Sequence, residues 1–67
     1  MLKAIKRRRL VREYYKLIER LTISERAAKL YVERNLEEYA RLEETFMEQT
    51  NIELVRVCMA LNELSPQ

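Results

Sequence analysis

The 67-residue chain lacks glycine, histidine and tryptophan, has no aspartate among its eleven acids, and contains one proline and one cysteine. Without histidine, no side chain has an ordinary pKa suited to acid–base work near neutrality. Without glycine, no glycine-rich loop can cradle a phosphate group. Cys58 can form no intramolecular disulfide, and one thiol without histidine makes no metal cluster. We therefore expect a protein that is not an enzyme and that uses no cofactor or metal.

The same absences indicate the fold class. Pro66 lies next to the end of the chain, so nothing in residues 1–64 is a strong helix breaker. Leu, Ala, Glu, Lys, Arg and Met, all good helix formers, dominate this part of the sequence. An all-α fold is predicted. Residues 52–61, rich in Ile and Val, leave one alternative open, a strand that pairs with another chain.

Three helices are predicted, at about residues 2–21, 24–49 and 51–64. Leu10, Tyr14 and Leu17 begin an apolar stripe at helical spacing in the first. The breaks fall at Thr22 and Thr50, because each threonine precedes a glutamate by three residues, which is the capping-box spacing. We expect helices 1 and 2 to form an antiparallel hairpin, with helix 3 docking on it or swapping across a dimer.

The predicted core combines the apolar stripes of all three helices. In helix 2 the stripe is a heptad-like seam that includes Asn35. Asn35 either faces water at the boundary of this seam or sets the register of helix pairing. The predicted core residues are Leu10, Tyr14, Leu17, Ile18, Leu21, Val32, Leu36, Tyr39, Leu42, Phe46, Val55, Cys58, Leu61 and Leu64.

Helix 3 is apolar around most of its circumference, so it needs cover on most sides. A single domain spanning residues 1–67 is too small to supply that cover from two other helices. Self-association is therefore expected to complete the fold. The predicted oligomer interface consists of Tyr39, Phe46, Ile52, Val55, Cys58, Met59, Leu61 and Leu64.

Charge is distributed unevenly along the chain. Residues 1–20 carry eight bases and two acids, a net charge of +6, whereas residues 21–67 carry five bases and nine acids, a net charge of −4. Residues 1–9 are a basic extension of helix 1, because Lys3 and Arg7 occupy the face that becomes apolar at Leu10. The candidate nucleic-acid-binding residues are Lys3, Lys6, Arg7, Arg8, Arg9, Arg12 and Lys16.

Four explanations of this basic run stay open at the level of sequence. It can be a solvated face that pairs with the glutamates of helix 2, a nucleic-acid contact, a contact with an acidic protein surface, or a contact with an anionic membrane. The membrane is the least favoured, because the basic and apolar parts of helix 1 are offset along its axis. Three consecutive arginines, Arg7–Arg9, favour a phosphate track over a ladder of intramolecular ion pairs, because their side chains fan out around the helix.

These observations predict a class of function. No transmembrane or signal-peptide pattern is present, and we expect a cytoplasmic protein. The favoured hypothesis is a non-enzymatic interaction module, a small homo-oligomeric regulator or adaptor whose basic N-terminal helix contacts nucleic acid. The alternative is a small subunit of a hetero-complex, in which a different protein buries the apolar C-terminal helix and nucleic acid plays no part.

Overall fold

The computed structural model describes residues 2–64 and shows a helical hairpin. Helix α1 spans Leu2–Glu33, helix α2 spans Glu37–Leu64, and three residues join them. The two helices pack side by side in opposite directions and form a rod of 51 × 15 × 14 Å. The predicted all-α class is confirmed, and the strand alternative is wrong because residues 52–61 lie within α2. Met1 and residues 65–67 lie outside the described part of the chain.

The predicted division into three helices is wrong, because neither threonine ends a helix. Thr22 Oγ1 donates a hydrogen bond to the carbonyl of Ile18 at 2.9 Å, and Thr50 Oγ1 donates one to the carbonyl of Phe46 at 2.8 Å. Each hydroxyl thus bonds to the preceding turn of its own helix, a pattern that is compatible with a helix interior. The capping-box spacing is therefore present in the sequence without the structure it usually accompanies.

The chain reverses instead at Asn35, which has a φ angle of 60°. The N–H of Leu36 donates to the carbonyl of Tyr31 at 2.7 Å, and that of Asn35 donates to the carbonyl of Val32 at 3.1 Å. These two bonds form the Schellman motif that ends many helices. Asparagine enters the left-handed region more readily than other residues with a Cβ. Asn35 is exposed, as the first of its two predicted roles requires. Its other predicted role, setting the register of helix pairing, is wrong because Asn35 lies in the turn between α1 and α2.

Helix α2 starts directly after this reversal. The carbonyl of Leu36 accepts a hydrogen bond from the N–H of Ala40 at 3.1 Å, which makes Leu36 the residue that precedes the helix. Glu37 and Glu38 occupy the first turn. Their negative charge is favourable there, because the N-terminal end of a helix dipole is positive.

The two helices meet along a heptad seam. Buried and half-buried positions recur at alternating steps of three and four residues in both helices, which is the spacing of an antiparallel two-stranded coiled coil. In α1 these positions are Leu10, Tyr14, Leu17, Leu21, Ser24, Ala28 and Tyr31, and in α2 they are Ala40, Glu43, Met47, Thr50, Leu54, Val57, Leu61 and Leu64. Leu17, Leu54 and Val57 form the buried centre of the seam.

About half of the predicted core lies on the surface. Leu17 is buried as predicted, and Leu10, Tyr14, Leu21, Leu61 and Leu64 are half-buried. The predicted core residues that are exposed are Ile18, Val32, Leu36, Tyr39, Leu42, Phe46, Val55 and Cys58. The error has one main cause, because the predicted seam runs through Asn35 as if residues 24–49 formed one helix. The chain turns at Asn35, and the buried stripe of α2 begins at Ala40.

Asn35→Ala should lower the free energy of unfolding by about 1 kcal/mol, because a Cβ-bearing residue without the asparagine side chain is disfavoured in the left-handed region. Asn35→Gly should cause no loss, because glycine is the usual residue at this position. Thermal unfolding followed by circular dichroism measures both changes. Gln49→Ala, which removes an amide at an exposed position inside α2, is the matched control and should not destabilise the protein. Equal stability of Asn35→Ala and the unmodified chain would contradict the assigned turn.

Leu54→Ala should destabilise the hairpin by about 2–4 kcal/mol, because it leaves a cavity in the buried centre of the seam. Leu42→Ala removes the same atoms from a side chain that is 65% exposed and should cost less than about 1 kcal/mol. Urea unfolding of the two variants compares them directly. A larger loss of stability in Leu42→Ala than in Leu54→Ala would favour the predicted seam through Leu42.

Candidate interaction surfaces

The first candidate surface is the basic segment, defined as Lys3, Lys6, Arg7, Arg8, Arg9, Arg12 and Lys16. All seven side chains are exposed on the first half of α1. Six of them fall within ten residues, about 14 Å of helix, and no acid precedes Glu13. Residues 2–9 are all exposed, and Leu10 is the first residue of α1 that packs against the core.

The hairpin keeps the basic segment away from the glutamates near the turn, whereas Glu63, in the last turn of α2, lies at the same end of the rod as Arg7. Met47 lines a groove with Ala28, at the end of the rod that contains the turn. Glu44 and Glu48 flank Met47 and therefore lie on the order of 25–30 Å along the rod from Arg9. Such a distance exceeds the Debye length at physiological salt, about 8 Å. Pairing with the glutamates of the predicted helix 2, residues 24–49, is thus not available to Arg9 and its neighbours within a single hairpin.

Ion pairing elsewhere in the rod is sparse. Within residues 2–64, the one salt bridge joins Arg20 and Glu53 at 3.8 Å, and both side chains are more than half exposed. Exposed pairs of this kind contribute little to stability. Among these residues, the basic segment has no carboxylate within 4.0 Å of its charged nitrogens. Its cations are therefore free of direct ion pairs with these residues and available to an external anion.

The second candidate surface is the Ile18 face, which comprises exposed residues of both helices on one side of the rod. Ile18 of α1 and Val55, Cys58 and Met59 of α2 line a shallow groove together with the half-buried Tyr14. Val11 continues the groove towards the basic segment, where Arg7 also lines it. This face places apolar side chains in the half of the rod that contains the chain termini.

The third candidate surface is the Leu42 face, on the other side of the rod and near the turn. Its exposed residues are Ile23, Leu30, Tyr39, Leu42 and Phe46. Tyr39, Phe46 and Glu53 follow one another at intervals of seven residues, so the Leu42 face continues into the surface that carries the Arg20–Glu53 pair. The ring of Tyr39 lies 5.5 Å from that of the half-buried Tyr31.

The structure separates the predicted interface residues into different surfaces. Val55, Cys58 and Met59 belong to the Ile18 face, whereas Tyr39 and Phe46 belong to the Leu42 face. Leu61 and Leu64 are half-buried against α1, and Ile52 is exposed on α2. Three exposed residues of α1 complete the Ile18 face, namely Val11, Tyr15 and Ile18. None of them was in the predicted interface, and Ile18 was predicted to be in the core. Their three- and four-residue spacing was visible in the sequence, but the side of α2 that they adjoin was not.

The rod exposes more surface than a compact monomer does. Its accessible area is 6179 Å², against roughly 4,500 Å² expected for a compact monomeric protein of 8.2 kDa. Several of the exposed side chains are large and apolar, including Met59 at 61% and Phe46 at 52% exposure. Contiguous apolar surface of this kind marks interaction sites in soluble proteins.

Residues 2–64 offer neither a metal-binding cluster nor a membrane-spanning helix. No group of three or more Cys or Glu side chains there is arranged to hold a metal ion. Neither described helix combines the length with the hydropathy that crossing a bilayer requires.

Comparison with protein-family models, with curated proteins and with solved structures finds no match to this chain.

Arg12→Glu should raise the melting temperature at low ionic strength, because it replaces repulsion from Arg8, Arg9 and Lys16 by attraction on the same helix face. The matched control is Arg41→Glu, the same substitution beside Glu37, Glu38 and Glu44, and it should lower the melting temperature. Both differences should shrink in about 0.5 M salt, because surface charges are then screened. Thermal unfolding at two salt concentrations measures both differences. If the melting temperature shifts in the same direction in both variants, the separation between a basic start of α1 and an acidic start of α2 is contradicted.

Proposed function

We propose that this protein is a non-enzymatic helical interaction module, a small homo-oligomeric regulator or adaptor whose basic N-terminal helix contacts nucleic acid. The observation that carries the proposal is the basic segment, because its cations are all exposed and none forms a salt bridge with a described carboxylate. Neutralising a run of phosphates releases counterions, and that release is the main source of affinity in such contacts.

The shape of the rod supports a contact through the start of α1. An α-helix with its side chains is about 10–12 Å across and fits the DNA major groove, about 12 Å wide. The part of the rod in which α1 and α2 lie side by side is thicker, at 15 × 14 Å between its Cα atoms. The basic segment therefore suits either the insertion of the first turns of α1 or a track along phosphates. Four of its seven cations are arginines, whose planar guanidinium binds phosphate with two hydrogen bonds.

Self-association is supported by the two apolar faces and by the large accessible area of the single hairpin. Each additional copy adds a basic segment to the assembly. Linked segments raise the effective concentration at a polyanion that has many equivalent phosphates. A small module with modest affinity per copy thereby gains avidity.

A second candidate function is favoured by the extent of apolar surface on α2. Ile52, Val55 and Met59 are more than half exposed, and so are residues of the Leu42 face. In a hetero-complex a different protein would cover these residues, and the basic segment would serve solubility. Sedimentation of the purified protein separates the two candidates: a folded monomer at every concentration favours the hetero-complex, and a concentration-dependent dimer or larger oligomer favours homo-oligomerisation.

Binding of labelled duplex DNA and of RNA should be measurable by fluorescence anisotropy at low salt and should weaken steeply as salt rises. The variant Lys6→Gln/Arg9→Gln/Arg12→Gln should weaken binding. It should also flatten the dependence of log affinity on log salt by about 0.9 for each duplex-DNA phosphate that the variant no longer neutralises. The slope distinguishes a direct contact from a general loss of stability.

The matched control is Arg26→Gln/Arg34→Gln/Arg56→Gln, which removes the same number of charges outside the basic segment. This control should retain most of the affinity for nucleic acid, and its salt slope should equal that of the unmodified protein. No binding of either nucleic acid at low salt would refute the nucleic-acid contact. Equal weakening in the two triple variants would show that only net charge matters.

A further inference from the structure

We propose that two copies of the hairpin pair antiparallel through the Ile18 face, with Arg8 of each copy against Glu25 of the other. The inference rests on the proposed homo-oligomeric function and assigns its interface. The occupant of the face is thus a second copy of this chain, and the Leu42 face stays outside the contact.

The order of residues along α1 favours this pairing. On the side of α1 that carries Ile18, residues at alternating three- and four-residue steps run Arg8, Val11, Tyr15, Ile18, Thr22 and Glu25, and all are exposed. When the α1 stripes of two copies run in opposite directions, Tyr15 of each copy faces Ile18 of the other. Val11 then faces Thr22, and Arg8 faces Glu25. The midpoint of all three pairs falls between Lys16 and Leu17. The stripe is therefore self-complementary, with an apolar middle and ends of opposite charge.

Helix α2 also carries a self-complementary exposed stripe, and it lies on the same side of the rod. Its exposed stripe runs Asn51, Val55, Cys58 and Asn62, and these residues line one groove with Ile18. Reversal sets Val55 against Cys58 and Asn51 against Asn62. Apolar side chains thus meet in the middle, and two amides that can donate and accept hydrogen bonds face each other outside them.

The two stripes share one twofold axis. The midpoint of both α2 pairs falls between Arg56 and Val57. These residues lie across from Lys16 and Leu17, because all four line the same groove on the other side of the rod. Leu17 and Val57 also belong to the same buried cluster. A single rotation can therefore satisfy both helices at once, as a symmetric dimer requires.

Charge along the rod favours the antiparallel orientation. The half that contains the termini, residues 2–20 and 53–64, carries nine bases and four acids, a net charge of +5. The half that contains the turn, residues 21–52, carries four bases and seven acids, a net charge of −3. Antiparallel rods set opposite charges side by side, whereas parallel rods would align like charges. Self-pairing through the Leu42 face alone would bring two acidic halves together.

The available area also fits. Antiparallel pairing about the middle of the rod overlaps nearly the whole 51 Å length. A face of that length and about 15 Å width offers on the order of 700–800 Å² per copy, close to the standard interface of about 800 Å² per partner. The product is a four-helix arrangement with a basic segment at each end. Lys6, Arg9 and Lys16 lie off the paired stripe and remain available for a polyanion.

The charge pair provides a sharp test. Arg8 and Glu25 are about 26 Å apart within one helix, so they cannot interact in a monomer. In sedimentation equilibrium at low salt, Arg8→Glu and Glu25→Arg should each weaken dimerisation about tenfold. The double variant Arg8→Glu/Glu25→Arg should recover the original dissociation constant within about threefold. Recovery supports the antiparallel register, and a double variant as weak as the product of the single effects overturns it.

A second pair of variants tests the face itself. Val55→Glu should weaken the dimer at least about a hundredfold, because it places a carboxylate in the apolar middle of the contact. Leu42→Glu introduces the same group at a similarly exposed position on the Leu42 face and should leave the dimer intact. Circular dichroism confirms that both variants are helical, and the charge pair remains decisive if Val55→Glu does not fold.

The outcomes separate this inference from the proposed function. If Leu42→Glu dissociates the oligomer and Val55→Glu does not, the assigned interface is wrong while homo-oligomerisation stands. A monomeric unmodified protein would overturn both the interface and the homo-oligomer, and the nucleic-acid titration would still report independently on the basic segment.

Discussion

The left-handed conformation of Asn35 is the local constraint on which the rest of the structure depends. It ends α1, turns the chain back after three residues and thereby brings the heptad stripe of α1 against that of α2. Neither helix could bury its apolar stripe alone, because an isolated helix in water has nothing to pack against. The turn converts two marginal helices into one seam, centred on Leu17, Leu54 and Val57.

The same reversal determines where charge ends up. Folding back at residue 35 places the acid-rich start of α2 beside the second half of α1 and leaves the basic segment at the far end of the rod. The narrow seam also leaves large apolar side chains on both sides, because two helices can cover only one stripe of each other. Charge separation and uncovered apolar surface therefore follow from one turn, and both favour an assembly with further molecules.

The sequence was informative where local chemistry was decisive and misleading where two structures could use the same residues. The absence of glycine and internal proline predicted helices correctly, and the stripe from Leu10 to Leu21 predicted the inner face of the first part of α1. The prediction failed at Thr22 and Thr50 because a hydroxyl can cap a new helix or bond back to its own, and only the packing of the flanking residues decides. Around α2 the apolar residues were too numerous for periodicity to select one face, so Leu54 and Val57 could not be told from Val55 and Cys58.

The amino-acid sequence by itself determined that the chain is helical, that it contains no histidine, and that its positive charge is concentrated in the first twenty residues. These properties depend on composition and short-range spacing, which do not change when the chain folds. Only the tertiary structure decided that there are two helices, which residues are buried, and that the basic segment lies at the opposite end of the rod from the turn. Those properties depend on which residues meet across the seam, and that is set by the direction in which the chain leaves Asn35.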